Sequence, residues 1–156
     1  MFLGSKFMFF GAHNFNQNIS DWNTSKVTAM KATFRYASAF DQPIGNWDIS
    51  LVTSFSYFLS SAGGLSNSNK GQIHENFAYN PHWSNDWSQY VIIDNSNFQT
   101  AVNLWFSDES NATATYGRIS DWNTSSVTNM NVMFAGASLF DQDISNWNTE
   151  NAVNMY

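Results

Sequence analysis

Apolar and polar positions follow one pattern that returns down the chain at a constant step. Val27, Met30, Phe34 and Ala37 fall at i, i+3, i+7 and i+10, the spacing of one helix face. Val127, Met130, Phe134 and Ala137 repeat it. Ser25, Ser50 and Ser125 stand two residues before each apolar run, where a helix N-cap belongs. Upstream, the short segments 17–19, 42–44 and 142–144 read as strands. Trp22 recurs as Trp47, Trp122 as Trp147 and Phe15 as Phe40, each at a step of 25. A repeat of this length is a supersecondary unit that buries its apolar face on copies of itself. The pattern predicts an α/β fold, a solenoid of strand-turn-helix repeats with an irregular central insertion. Strands about 4.8 Å apart on one side and helices about 10 Å wide on the other would curve the stack.

The expected organisation is a single solenoid domain over residues 1–156. A first repeat block covers 8–65 and ends at Gly63-Gly64, read as a helix C-cap. An irregular insertion covers 66–97, a turn-rich stretch followed by aromatics and the apolar run VIID, a candidate strand. An opening helix is predicted over 98–109, because Phe98, Ala101, Val102, Trp105 and Phe106 share one helical face. The second repeat block covers 118–156.

The segments MFFGAHNFNQNISDWNTSKVTAM, TFRYASAFDQPIGNWDISLVTSF and MFAGASLFDQDISNWNTENAVNM carry one consensus. It resembles the BspA-like bacterial surface-protein repeat, the DUF285 repeat. The resemblance covers 8–65 and 98–156 and leaves 66–97 outside. It implies a leucine-rich-repeat-like array that is extracellular or at a cell surface, in adhesion or recognition, with no catalytic residues to carry over. Pro43, Glu150 and Ala152 depart from the consensus, and the last two predict a weaker final coil.

Charged residues make up only 12% of the chain and the net charge is −6, which disfavours a nucleic-acid partner or docking on anionic lipid. Aromatics reach 17%, more than a core of this size requires. There is no cysteine, so disulfides and thiolate metal sites are excluded. No run is long enough to cross a membrane as a helix. The opening MFLGSKFMFFGA aligns with the repeat and is not read as a signal peptide.

No nucleophile motif, phosphate loop or standard zinc spacing is present. His74, Glu75 and His82 do not make a metal site by spacing, and Asp141 and Asp143, with Asp41 and Asn16, lack the rest of a calcium loop. No catalytic, cofactor-binding or metal residue is therefore assigned. Trp22, Trp47, Trp122 and Trp147 are expected to pack between coils rather than form a sugar platform. Gln17, Gln42 and Gln142 are expected to form a buried amide ladder. The sequons at Asn18, Asn23, Asn111 and Asn123 follow from an Asn-, Ser- and Thr-rich consensus. The ligand-face candidates are Trp83, Trp87, Tyr90 and His82, set against burial as a plug.

The leading expectation is a non-catalytic cell-surface or secreted repeat module that mediates protein or matrix binding or adhesion, its partner a protein or glycan on a surface. A carbohydrate-binding module using exposed Trp and Asn is the alternative, and a hydrolase with a site in 66–97 the third reading. Both ends fall inside a repeat, which fits either a fragment of a longer array or head-to-tail self-association.

Overall fold

The computed structural model describes residues 6–155. The chain forms two compact units, Met1–Tyr90 and Val91–Tyr156. Among the described residues there are three α-helices: α1 (Asn67–Phe77), α2 (Phe98–Ser107) and α3 (Glu109–Tyr116). Single 3-10 turns occupy Ser88–Tyr90 and Ile119–Asp121.

The expected strand-turn-helix repeat is not what forms. Among the described residues there is no β-strand, only two isolated parallel bridges, Asp94 with Ser126 and Asn129 with Asn154. No α-helix lies within 8–65 or after Tyr116, and the VIID run supplies one bridge residue instead of a strand. A strand-turn-helix, leucine-rich-repeat-like solenoid is therefore overturned. Helices form where the repeat is interrupted, and the repeats themselves are chains of tight turns.

Backbone hydrogen bonding explains the difference. The amides of Met30, Ala32, Phe34 and Tyr36 donate to the carbonyls of Ser54, Ser56, Phe58 and Ser60 in the next coil, at 2.9–3.0 Å. The alternate amides of Thr33, Arg35 and Ala37 donate three residues back along their own coil. An α-helix directs all its interior amides along its own axis and leaves none for a neighbour. Here half of them tie coil to coil. The apolar stripe has the same spacing in both cases, so Val27, Met30, Phe34 and Ala37 are buried as the pattern requires. What differs is the backbone that carries them.

The alternation demands left-handed residues. Phe7, Ala32 and Tyr57 have positive φ at the expected step, and Gly11 (68°), Tyr36 (64°) and Ser61 (61°) form a second series. Val132 and Gly136 match them in the other unit. Ser25, Ser50 and Ser125 cap no helix. The Asx side chain two residues earlier accepts their amides, as in Asp48 to Ser50 (3.0 Å) and Asn123 to Ser125 (3.1 Å). Gly64 ends no helix either. A Cβ there would lie 2.7 Å from the Ser38 carbonyl oxygen, so glycine permits close coil packing.

In the first unit, equivalent rings stack across coils: Phe9 on Phe34 (5.2 Å), Phe15 on Phe40 (6.2 Å) and Trp22 on Trp47 (6.4 Å, interplanar 5°). Helix α1 closes this core, with Phe77 against Phe55 and Phe58. In the second unit Trp122 stacks on Trp147 (6.0 Å, 10°), Tyr116 of α3 packs on Trp122, and Phe106 of α2 packs on Phe134. Asparagines finish the ladders. Asn80 donates to the Ile49 and Val52 carbonyls, and Asn95 Oδ1 accepts the amide of Thr128. These side-chain amides satisfy backbone groups that have no further coil to meet.

Candidate functional site

Three of the four repeat tryptophans serve packing, and the fourth, Trp22, is exposed. Trp47, Trp122 and Trp147 are buried, and each indole N–H donates to a carbonyl, of Ile19, Gly117 and Ile119 respectively. Trp22 is partly open to solvent, with one face covered by Trp47. The glutamine ladder does not form. Gln17 and Gln142 are exposed, and Gln42 donates to the Asn16 side chain and carbonyl. Coil-to-coil polar links come instead from Asn16, whose Oδ1 accepts the Asp41 amide, and from Asp41. Asp41 Oδ1 accepts from the Ser66 amide, the Ser66 hydroxyl and Asn69. Burial pushes the Asp41 carboxyl up, but these donors and the Lys70 charge together hold it below its ordinary value. Asn16 and Asp41 are thus structural links between coils.

The four ligand-face candidates take separate roles. Trp83 packs edge-on against Phe55 and Phe77 at 5.3 Å and donates its indole N–H to His74 Nδ1 at 3.2 Å. Trp87 meets Trp83 in a T-shaped pair, and its backbone amide also points at His74 Nδ1. Both donors fix Nδ1 as an acceptor and spend it inside the unit. Tyr90 carries the Lys70 ammonium over its ring at 5.3 Å. His82 is exposed, and its backbone amide donates to Asn80. Both indoles thus pack against the first unit's core. Among the described residues no group of three or more His, Asp or Glu side chains is placed to hold a metal ion.

A different surface gathers the exposed aromatics. Phe10, Tyr36 and Tyr57 come from three successive coils and are exposed, Tyr57 by 58%. Phe10 meets Tyr36 edge-to-face at 5.6 Å. The Arg35 guanidinium lies between the tyrosines, 4.8 Å from the Tyr36 centroid and 4.5 Å from that of Tyr57. One Arg35 Nη2–H donates to the Tyr36 hydroxyl at 3.0 Å. Its Nε is buried with no hydrogen-bond partner. None of these contacts is with a carboxylate. Two ring faces therefore flank a half-buried cation and restrict its orientation. Phe7 continues the ridge against Phe10, and its amide donates to the carbonyl of the exposed Lys31.

Sequence spacing did not reveal this ridge. Its residues occupy variable positions of the repeat, and only the turn ladder brings them side by side. One signal was available: Lys6, Lys26, Lys31 and Arg35, four of the six basic residues, lie within 1–40 against a single acid, Asp21.

Each unit is thus built of tight-turn coils packed with helices, and in the first an aromatic ridge crosses successive coils. The chain belongs to the DUF285 family, described as Mycoplasma protein of unknown function, whose model matches residues 5–105 and 89–156. The match runs through 66–97, which the repeat consensus had left outside. No curated protein and no solved structure matches the chain. Among the described residues no helix is long and apolar enough to cross a membrane.

Proposed function

We propose that this chain is a non-catalytic recognition module, of the BspA-like surface-protein type, that is secreted or displayed on a cell surface. It holds a protein or matrix component through the ridge of Phe10, Arg35, Tyr36 and Tyr57. One observation carries the reading: Tyr36 and Tyr57 are exposed at left-handed positions. Gly11, Ser61 and Gly136 occupy the equivalent of Tyr36 in other coils, and Phe7, Ala32 and Val132 that of Tyr57. A tyrosine there costs about 1–2 kcal/mol of backbone strain and leaves much of its ring in solvent. Strain kept at an exposed aromatic supports a binding role. Tyrosine and arginine are also the residue types that dominate interface energetics.

A carbohydrate ligand is the second reading, favoured by the exposed flat rings and the amide-rich surface. The test is binding of the purified chain to panels of immobilised matrix proteins and glycans, beside Tyr36→Ala and Tyr57→Ala. A ligand whose binding falls tenfold or more in both variants supports the reading. Binding that is indifferent to both substitutions refutes it.

A further inference from the structure

We infer that the ridge is a receptor for an acidic saccharide, a pyranose chain bearing carboxylate groups, with Arg35 as the anion-binding group. This rests on the ridge being the binding face. Arg35 is held between Tyr36 and Tyr57 and donates one N–H to the Tyr36 hydroxyl. Its contacts among the described residues include no carboxylate, and its Nε is buried without a partner. The buried Nε is out of a ligand's reach, but a guanidinium fixed between two rings with no carboxylate contact suits a planar carboxylate at its Nη end.

Charge sets the sign of the ligand. The protein carries −6, yet Lys31 flanks the ridge and the stretch 1–40 holds four basic side chains against one acidic. Arg35 and the neighbouring Lys31 give the ridge a local positive charge, which favours an anionic ligand. The rings set its shape. Phe10 meets Tyr36 edge-on and the Arg35 guanidinium joins Tyr36 to Tyr57, so rings from three consecutive coils lie side by side. A set of exposed rings offers repeated contact to the C–H faces of successive sugars. An acidic peptide would satisfy the guanidinium but has no repeated flat apolar face to lay along the rings.

Calorimetry on the full chain with oligogalacturonate, its neutral methyl ester and poly-glutamate tests the inference. Oligogalacturonate is expected to bind, and the ester at least tenfold more weakly. Affinity should fall with added salt, less steeply in Lys31→Gln. Arg35→Lys keeps the charge but loses the fork, and should lose most of the preference for acid over ester. Tyr57→Ala should weaken both saccharides. Because Arg35 is half-buried, the wild-type comparison of acid with ester stands if its variants do not fold. Equal binding of acid and ester, or tighter binding of poly-glutamate, overturns the acidic-saccharide assignment and leaves the ridge reading intact. No saccharide binding, with a matrix protein still held through the tyrosines, does the same. Binding of every ligand that ignores Tyr36→Ala and Tyr57→Ala overturns both.

Discussion

Replacing Ser61 by glycine should stabilise the first unit. Ser61 has φ 61° and an exposed side chain, one repeat step after Tyr36 and two after Gly11. A non-glycine residue in the left-handed region pays about 1–2 kcal/mol. Glycine removes that strain but gives the unfolded chain more freedom, at a cost of about 0.4–1 kcal/mol. The difference is a net gain of about 0.5–1 kcal/mol. For a unit of about 60–100 residues, 1 kcal/mol moves Tm by about 4–8 °C, so the expected rise is about 2–8 °C. The reciprocal change has the opposite sign. Gly136 has φ 78°, and a Cβ added there would meet nothing within 4 Å, so Gly136→Ala isolates backbone strain from packing. It should lower the Tm of the second unit by a similar amount. Differential scanning calorimetry of the full chain, with the transitions assigned to their units by limited proteolysis, measures both. An unchanged or lowered Tm in Ser61→Gly, together with an unaffected Gly136→Ala, would show that the left-handed positions are not strained and refute the turn-ladder account.

Gly45→Ala places a Cβ 2.7 Å from the Gln72 carbonyl oxygen in α1, and Gly64→Ala one at 2.7 Å from that of Ser38. Each should cost about 1–3 kcal/mol in urea unfolding, while Gly63→Ala, which meets nothing within 4 Å, stays near neutral. The buried Thr124 hydroxyl donates to the Asn148 carbonyl at 3.0 Å, whereas the buried Thr24 hydroxyl has no partner. Thr124→Val should therefore lose about 1–2 kcal/mol and Thr24→Val lose nothing or gain; equal effects would contradict this assignment. Asp41 has a depressed folded pKa, so its contribution is full above the ordinary aspartate value of about 3.9 and is lost as pH falls through the lower folded value. The urea midpoint should then drop less between pH 6 and pH 3 in Asp41→Asn than in the native chain, and an identical drop would argue against the Ser66 and Asn69 links.

The repeat period and the inward stripe were legible because burial is periodic whatever backbone delivers it. Met30, Phe34, Ile44 and Trp47 are buried where spacing places them, and Trp122 stacks on Trp147 one step apart. The α2 helix was legible too, since its face at Phe98, Ala101 and Val102 has no competing use for its amides. The repeat backbone was not. A residue every third or fourth position suits an α-helix and a run of tight turns equally, and the choice between them depends on a neighbouring coil that accepts half the amides. Tyr36 at positive φ contradicts local preference, and its amide is tied to the Ser60 carbonyl of the neighbouring coil.

The amino-acid order by itself determined the repeat length, the buried stripe, the membership of a repeat family and the gathering of basic residues near the start. Tertiary structure alone decided that the coils are turns, that Asn80 and Asn95 finish the ladders, and that Arg35 lies between two tyrosines. The physical reason is range. Spacing records which side chains leave water, while hydrogen bonds that reach across a whole repeat and rings from different coils exist only after the stack has formed.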